Sequence, residues 1–158
     1  MKVALCLLAT LAMASPALAR NLLDTVFPGG SGCYERLYSK SHLAEHPEQM
    51  VKRITLGISR SAPTSPDYTV TTVTVVLRGD PEVYANDGYC KNKGDQIVCS
   101  MEGDMGGFTL KSAEDGAILL KVAKDGMSFE GNRFVDISGA SGDDRSFLMP
   151  RAEAGACP

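Results

Sequence analysis

The chain has 158 residues, a length that suits one domain and leaves too little chain for two independent cores. Apolar residues make up 44% and charged residues 22%, which excludes an intrinsically disordered chain. Lys and Arg number 16 against 19 Asp and Glu, for a net charge of -3. Because binding to phosphates needs a basic field and no Lys/Arg cluster is present, nucleic acid is not expected as a partner.

The first nineteen residues have the order of a secretory signal peptide. Lys2 precedes an apolar run over residues 3–14, and Ala17-Leu18-Ala19 forms a small-residue cleavage site. We expect cleavage after Ala19 and a periplasmic or secreted protein. The run is too short to span a bilayer, so no membrane anchor is predicted. Residues 20–32 would then form an N-terminal arm, and residues 33–158 a single disulfide-bonded domain.

The cysteines predict two disulfide bonds. Removal of the signal peptide takes away Cys6 and leaves four cysteines, an even number that favours disulfides in an exported chain. They are Cys33, Cys90, Cys99 and Cys157. Three connectivities are possible. A turn signal at Lys93-Gly94-Asp95 would bring Cys90 and Cys99 together in a hairpin, and Cys33 then pairs with Cys157 by elimination.

The hydrophobic pattern changes along the chain from helical to alternating. Between residues 33 and 46 the spacing of Leu37, Tyr38, Leu43 and Ala44 predicts a short helix that Pro47 ends, the only helix the sequence indicates. Further on, alternation and β-branched residues predict strands within 53–59, 68–78, 84–89, 96–101, 108–111, 118–122, 128–130, 134–137 and 147–149. The links between them, including residues 123–126, have the composition of tight turns. The expected fold is mainly β: an antiparallel β-meander barrel or sandwich of about eight strands with one short N-terminal helix.

The segment His42-Leu43-Ala44-Glu45-His46 matches the H-x-x-E-H pattern of inverted zinc peptidases. On a helix, His42 and His46 share a face and could bind one metal ion, with Glu45 as a base. A helix that ends at Pro47 and the lack of a further ligand-bearing helix favour a capping or packing role. Metal binding by His42 and His46 stays open as the alternative, and no cofactor is predicted.

Two acidic segments are further candidates for partner binding. Glu102 and Asp104 lie in a glycine-rich stretch and could serve acid/base chemistry or Ca²⁺ binding, although a solvated corner of the sheet is the favoured interpretation. Asp143, Asp144 and Arg145 could offer hydrogen bonds to a partner. The favoured interpretation here is a charged turn.

Several short motifs carry a resemblance to known proteins. Cys33-Tyr34-Glu35-Arg36-Leu37-Tyr38, His42-Leu43, His46-Pro47 and Gln49, a Gly-Asp-Asp-Arg-Ser-Phe segment and Cys157 together resemble a group of small exported bacterial proteins, and this resemblance implies no particular activity. In size, export, disulfides and strand content the chain is also similar to periplasmic lysozyme inhibitors. Those are small antiparallel β-barrels that insert a Ser-Gly-x-Lys/Arg-Tyr loop into the lysozyme cleft. Here Ser141-Gly142 is followed by Asp143-Asp144-Arg145-Ser146-Phe147, with an extra residue before the arginine.

These observations predict a non-catalytic binding or inhibitor-like module of the bacterial cell envelope. Its partner would be a protein or small ligand in the envelope. The alternative is a periplasmic metal-binding protein that uses the His42 and His46 side chains.

Overall fold

The computed structural model of the protein describes residues 21–59, 65 and 67–157. The predicted signal peptide, residues 1–19, lies outside the described residues, as does Cys6. Within the described part of the chain, no helix is both long and apolar enough to cross a membrane.

A single antiparallel sheet contains all the named strands. They are β1 (Cys33–Leu37), β2 (Val51–Ile58), β3 (Thr69–Leu77), β4 (Val83–Lys93), β5 (Gln96–Met101), β6 (Gly106–Ser112), β7 (Ile118–Phe129), β8 (Val135–Ile137) and β9 (Ser146–Met149). Strands β1 to β8 are neighbours in chain order, and β9 pairs with β7 beside β8. The sheet curls into a half-barrel, which confirms the predicted mainly β antiparallel meander.

The hydrophobic core fills the concave side of the curled sheet. In β9, for example, Phe147 and Met149 are fully buried while Leu148 is half exposed, as the two-residue period of a strand requires. The largest fully buried aromatic side chains are Tyr34, Tyr84, Phe108, Phe129 and Phe147. Burial of this apolar surface is the main stabilising contribution to the fold.

Both predicted disulfides are present. Cys90 and Cys99 are directly opposite each other on β4 and β5, with Cα atoms 4.0 Å apart. Cys33, at the start of β1, is bonded to Cys157 near the C-terminus, with Cα atoms 5.7 Å apart. The second bond therefore joins the two ends of the domain.

The helical prediction for residues 33–46 is wrong in its first part. Residues Cys33–Leu37 form β1, paired along its length with β2, and only Lys40–Glu45 form a helix, α2. The side chain of Ser39 caps this helix by accepting a hydrogen bond from the His42 amide at 3.1 Å. Pairing with β2 overrides the local helical spacing of Leu37 and Tyr38, because tertiary contacts outweigh weak propensities.

The N-terminal arm contains a helix that the sequence analysis missed, α1 (Leu22–Val26). Its end carries Val26 and Phe27 into the core, where they are 2% and 3% exposed. Asn92 on β4 accepts a hydrogen bond from the Leu23 amide at 3.1 Å. The arm is thus folded against the sheet.

The predicted turn at residues 123–126 is also wrong, because β7 continues through it. The register of β6 against β7 shifts between Gly106 and Phe108, which marks a bulge rather than a reversal of the chain. Gly126 has φ = +92°, and a Cβ there would lie 2.9 Å from the carbonyl oxygen of Ile137. The glycine is needed for a strand distortion and not for a hairpin.

The two edges of the sheet meet along a seam that is only partly closed. The chain after β9 returns to β1, where Tyr34 and Arg151 form an isolated β-bridge. The amide of Glu35 donates to the carbonyl of Pro150 at 3.1 Å, and the amide of Ala152 donates to that of Cys33 at 2.8 Å. These hydrogen bonds, with the Cys33–Cys157 disulfide, form the closed end of the seam.

Candidate functional site: a cleft at the open end of the seam

A cleft of about 540 Å³ opens beside the closed end of the seam. We call it the seam cleft. Strand β1, helix α2, strands β7 and β9 and the loop before β9 all contribute to it. Its lining residues are Arg36, Tyr38, His42, His46, Gln49, Lys121, Gly139, Asp143, Arg145, Ser146 and Leu148.

Alternate residues of β1 and the residue after it lie first in the core and then in the cleft. Tyr34, Arg36 and the adjoining Tyr38 occupy every second position, and residues two apart in a strand point to the same face. Tyr34 is 1% exposed in the core, whereas Arg36 and Tyr38 are only partly buried and line the cleft. Helix α2 follows at once, so His42 is placed directly beside Tyr38.

Three rings form a continuous stack on the wall of the cleft. The centroids of Tyr38 and His42 are 4.6 Å apart with an interplanar angle of 21°. Those of His42 and His46 are 4.3 Å apart with an angle of 25°. The spacing of four residues puts the two imidazoles on one side of α2, as the sequence predicts, and the stack continues into the strand.

Gln49 fixes the orientation of His42. The Gln49 side chain is 3% exposed, and its amide nitrogen donates to the carbonyl of Val51 at 3.0 Å. Its amide oxygen is therefore the partner of His42 Nε2, at 2.9 Å, so that Nε2 carries the proton and donates it. This partly buried contact holds the middle ring of the stack.

The stacked geometry bears on the metal-binding alternative. The lone pair of an imidazole nitrogen lies in the plane of the ring, so two stacked rings direct their lone pairs side by side and not toward a common point. Among the described residues, no group of three or more His, Cys, Asp and Glu side chains is placed to hold a metal ion. Metal binding by His42 and His46 together would require the two rings to leave the stacked arrangement.

The loop before β9 is tied to the rest of the protein by Asp144. This side chain is 5% exposed, and its carboxylate accepts hydrogen bonds from the Met50 amide at 2.6 Å and the Val51 amide at 3.2 Å. Burial raises the pKa of Asp144, while the two backbone hydrogen bonds act in the opposite direction. Asp144 is an internal anchor, so its side chain is not at the surface.

The neighbours of Asp144 face the cleft instead. Asp143 lies with one carboxylate oxygen 3.7 Å from His46 Nδ1, and Arg145 lines the cleft from the loop. The three residues that the sequence grouped as one candidate surface thus separate into one anchor and two cleft residues.

Glu102 and Asp104 are not brought to the cleft. Both are exposed in the turn between β5 and β6. The negative charge of Glu102 is the main cause of a raised pKa for Tyr89, ahead of burial of the tyrosine. The solvated corner that the sequence favoured for these residues fits their exposure.

The side chains that line the seam cleft carry a net positive charge. Arg36, Lys121 and Arg145 line it against the single carboxylate of Asp143. The guanidinium of Arg36 lies 4.9 Å from the centre of the Tyr38 ring. Burial raises the pKa of Tyr38, and the neighbouring Arg36 opposes that rise.

Arg36 has an unsatisfied donor. Its Nε atom is buried and has no hydrogen-bond partner among the described residues. A buried donor without a partner costs about 1–3 kcal/mol, so native proteins rarely retain one without compensation.

Sequence reasoning identified His42, His46, Asp143 and Arg145 and missed the remaining polar residues of the cleft. Arg36 could have been found from its position between Tyr34 and Tyr38, where a charged residue interrupts a face of aromatic ones. Lys121 carries no comparable signal, because its position follows from the pairing of β7 with β9.

Comparison of the chain with models of known protein families, with curated proteins and with solved structures finds no match.

Proposed function

We propose that this protein is an exported, non-catalytic binding module of the cell envelope and that the seam cleft is its binding site. The observation that carries the proposal is the cleft itself: a concavity of about 540 Å³ with the buried, unpartnered Nε of Arg36 in its wall. Concave sites with a few convergent polar groups are where small ligands and partner side chains bind. Export is supported by the two disulfides, which form and persist in oxidising compartments.

The rigidity of the cleft supports binding. The ring stack is held by Gln49, the loop by Asp144, and β1 by the Cys33–Cys157 disulfide. A site that is ordered before its ligand arrives pays less conformational entropy on binding. The inhibitor-like form of the proposal places a side chain of a partner enzyme in this cleft, with the exposed loop 138–143 beside it.

A variant that fills the cleft tests the proposal without knowledge of the ligand. Ser146 is an exposed cleft residue on β9, so Ser146→Trp should occupy the cavity while the core stays intact. Ser112→Trp, at an exposed position on β6 away from the cleft, is the matched control. The immobilised wild-type protein and the control should retain the same component of an envelope extract, and Ser146→Trp should lose it.

Equal retention by all three proteins, or no retention by any of them, would contradict the proposal. Because the tryptophan blocks the cleft by its volume, this result does not depend on the charge of the ligand.

A further inference from the structure

We infer that the ligand of the seam cleft is an oxyanion, bound through its carboxylate or phosphate groups; this inference rests on the proposed function. The protein as a whole is acidic, with a net charge of -3, yet the cleft is lined by Arg36, Lys121 and Arg145. A local field opposite in sign to that of the molecule directs an anion to this place rather than to the surface in general.

The two carboxylates nearest the cleft lie beside groups other than the three cations. The Asp143 carboxylate lies 3.7 Å from His46, and the Asp144 carboxylate is buried against the Met50 and Val51 amides. Every other described arginine has a partner in the protein. Arg53 pairs with Glu35 at 2.5 Å and Arg133 with Asp80 at 3.0 Å. Arg78 and Arg151 donate to backbone carbonyls. In the described part of the chain, Arg36, Lys121 and Arg145 have no carboxylate within ion-pair distance.

Arg36 supplies the second, independent observation. A guanidinium offers a planar fork of N–H donors that matches the two oxygens of a carboxylate or phosphate. In Arg36 the ring of Tyr38 lies 4.9 Å from the guanidinium, and the Nε–H has no partner. An oxyanion in the cleft would complete the hydrogen bonding of this group.

The rest of the cleft lining suits the remainder of such a ligand. The stacked rings of Tyr38, His42 and His46 supply aromatic surface, and Ser146 adds a hydroxyl. The chemical class is therefore a small oxyanion with an apolar portion.

The test follows the Nε–H signal of Arg36 in the ¹⁵N-labelled protein. Sodium phosphate and sodium citrate are each titrated at pH 7 against sodium chloride of equal ionic strength. We expect a saturable shift of this signal with at least one oxyanion and none with chloride. Saturation with phosphate alone indicates a phosphate-bearing ligand, and saturation with citrate alone a carboxylate-bearing one.

Variants show whether the three cations form the site. Arg145→Gln and Lys121→Gln should each weaken binding about tenfold, as expected for loss of one charge-assisted hydrogen bond. Lys124→Gln changes the net charge equally, three residues along the same strand and outside the cleft lining, and should leave the affinity unchanged. Arg36→Lys keeps the charge but removes the fork, so it should also weaken binding. The amide spectrum of each variant verifies its fold.

Two results would overturn the inference: no saturable shift with either oxyanion, or equal weakening by Lys124→Gln and Lys121→Gln. If Ser146→Trp still abolishes capture from the envelope extract in that event, the cleft remains a binding site for a ligand of different charge.

Discussion

Tyr34 and Tyr38 lie on the same face of the β1 region but in different environments. At the closed end of the seam, the hydroxyl of Tyr34 donates to the Val26 carbonyl at 2.5 Å and accepts from Arg151 at 3.1 Å. Four residues later, Tyr38 lies in the seam cleft, beside an arginine whose Nε is unpartnered. The first region has its polar groups paired within the protein, as a structural site should.

The difference between these regions separates stability from binding. At the closed end, polar groups with hydrogen-bond partners inside the protein hold the edges of the sheet together. At the open end, polar groups without such partners are available to a ligand. Substitutions at the closed end should therefore lower stability, and substitutions in the cleft should mainly lower binding.

The largest effect is expected from the disulfide at the closed end. Cys33 and Cys157 are 124 residues apart in sequence, against 9 for Cys90 and Cys99. On the loop-entropy model the longer loop contributes about 4.9 kcal/mol and the shorter about 2.7 kcal/mol. Cys157→Ala should lower the free energy of unfolding more than Cys99→Ala, as measured by denaturant titration. The reverse order would show that the closed end of the seam is not the principal constraint.

Loss of the loop anchor should have the next largest effect. Asp144→Ala leaves the amides of Met50 and Val51 without their acceptor, which should cost about 3 kcal/mol at pH 7. Asp143→Ala, the exposed neighbour, should cost less than about 0.5 kcal/mol. Comparable losses in both variants would remove the distinction between the anchor and the cleft residue.

The pH dependence of the Asp144 effect has a definite sign. Burial raises the pKa of Asp144 in the folded protein, so the folded state holds this proton at pH values where the unfolded chain has released it. The stabilisation that comes from this protonation of Asp144 is complete below the unfolded-state pKa of about 3.9. It is lost as the pH rises through the pKa that Asp144 has in the folded protein. The cost of Asp144→Ala, measured by denaturant titration, should be larger at pH 4 than at pH 7.

The two tyrosines provide a matched pair. Tyr34→Phe removes a buried hydroxyl that joins α1 to the C-terminal segment and should cost about 1–3 kcal/mol. Tyr38→Phe should cost less, about 0.5–1 kcal/mol, because Tyr38 is only partly buried and its hydroxyl interacts with Arg36 and Gln49 beside the cleft. Thermal unfolding of the two variants measures the contrast. An equal fall in midpoint would mean that the cleft is as much a part of the stabilising network as the closed end.

The smallest effect is expected for metal ions. Because the stack directs the lone pairs of His42 and His46 side by side, calorimetric titration with Zn²⁺ should show no submicromolar one-to-one binding. His42→Ala should cost about 0.5–2 kcal/mol through loss of the stack and of the Gln49 contact. Submicromolar binding that disappears in His42→Ala would favour the metal-binding alternative.

Sequence periodicity predicts the central strands of the sheet better than it predicts β1 and the N-terminal arm. Strand β3 is identified from its composition alone, because its Val and Thr side chains fit a pleated surface. Strand β1 is missed because the spacing of Leu37, Tyr38, Leu43 and Ala44 predicts a helix. Its strand conformation depends on pairing with β2, which the local sequence does not show. The helix in the arm over residues 21–27 is stabilised by packing against the sheet, and the local sequence does not show that packing.

The candidate site is less predictable, because its parts meet only when the sheet curls. His42 and His46 are recognisable from their spacing, but the sequence does not show that Gln49 and Tyr38 convert a possible metal pair into a ring stack. Arg36, Lys121 and Arg145 are 85 and 24 residues apart along the chain. Their proximity depends on where the pairing of the seam stops, which is a property of the whole fold.

The most direct measurement for the seam cleft is the shift in thermal unfolding midpoint on addition of phosphate or citrate, at constant ionic strength. A ligand that binds only the folded state stabilises it by RT ln(1 + L/Kd), where L is the ligand concentration, and so raises the midpoint. At least one of the two oxyanions should stabilise the wild-type protein and Lys124→Gln equally. The same oxyanion should leave the midpoint of the double variant Arg36→Gln, Arg145→Gln unchanged. The same increase in all three proteins, or no increase in any, would contradict a binding site at the open end of the seam that is specific for oxyanions.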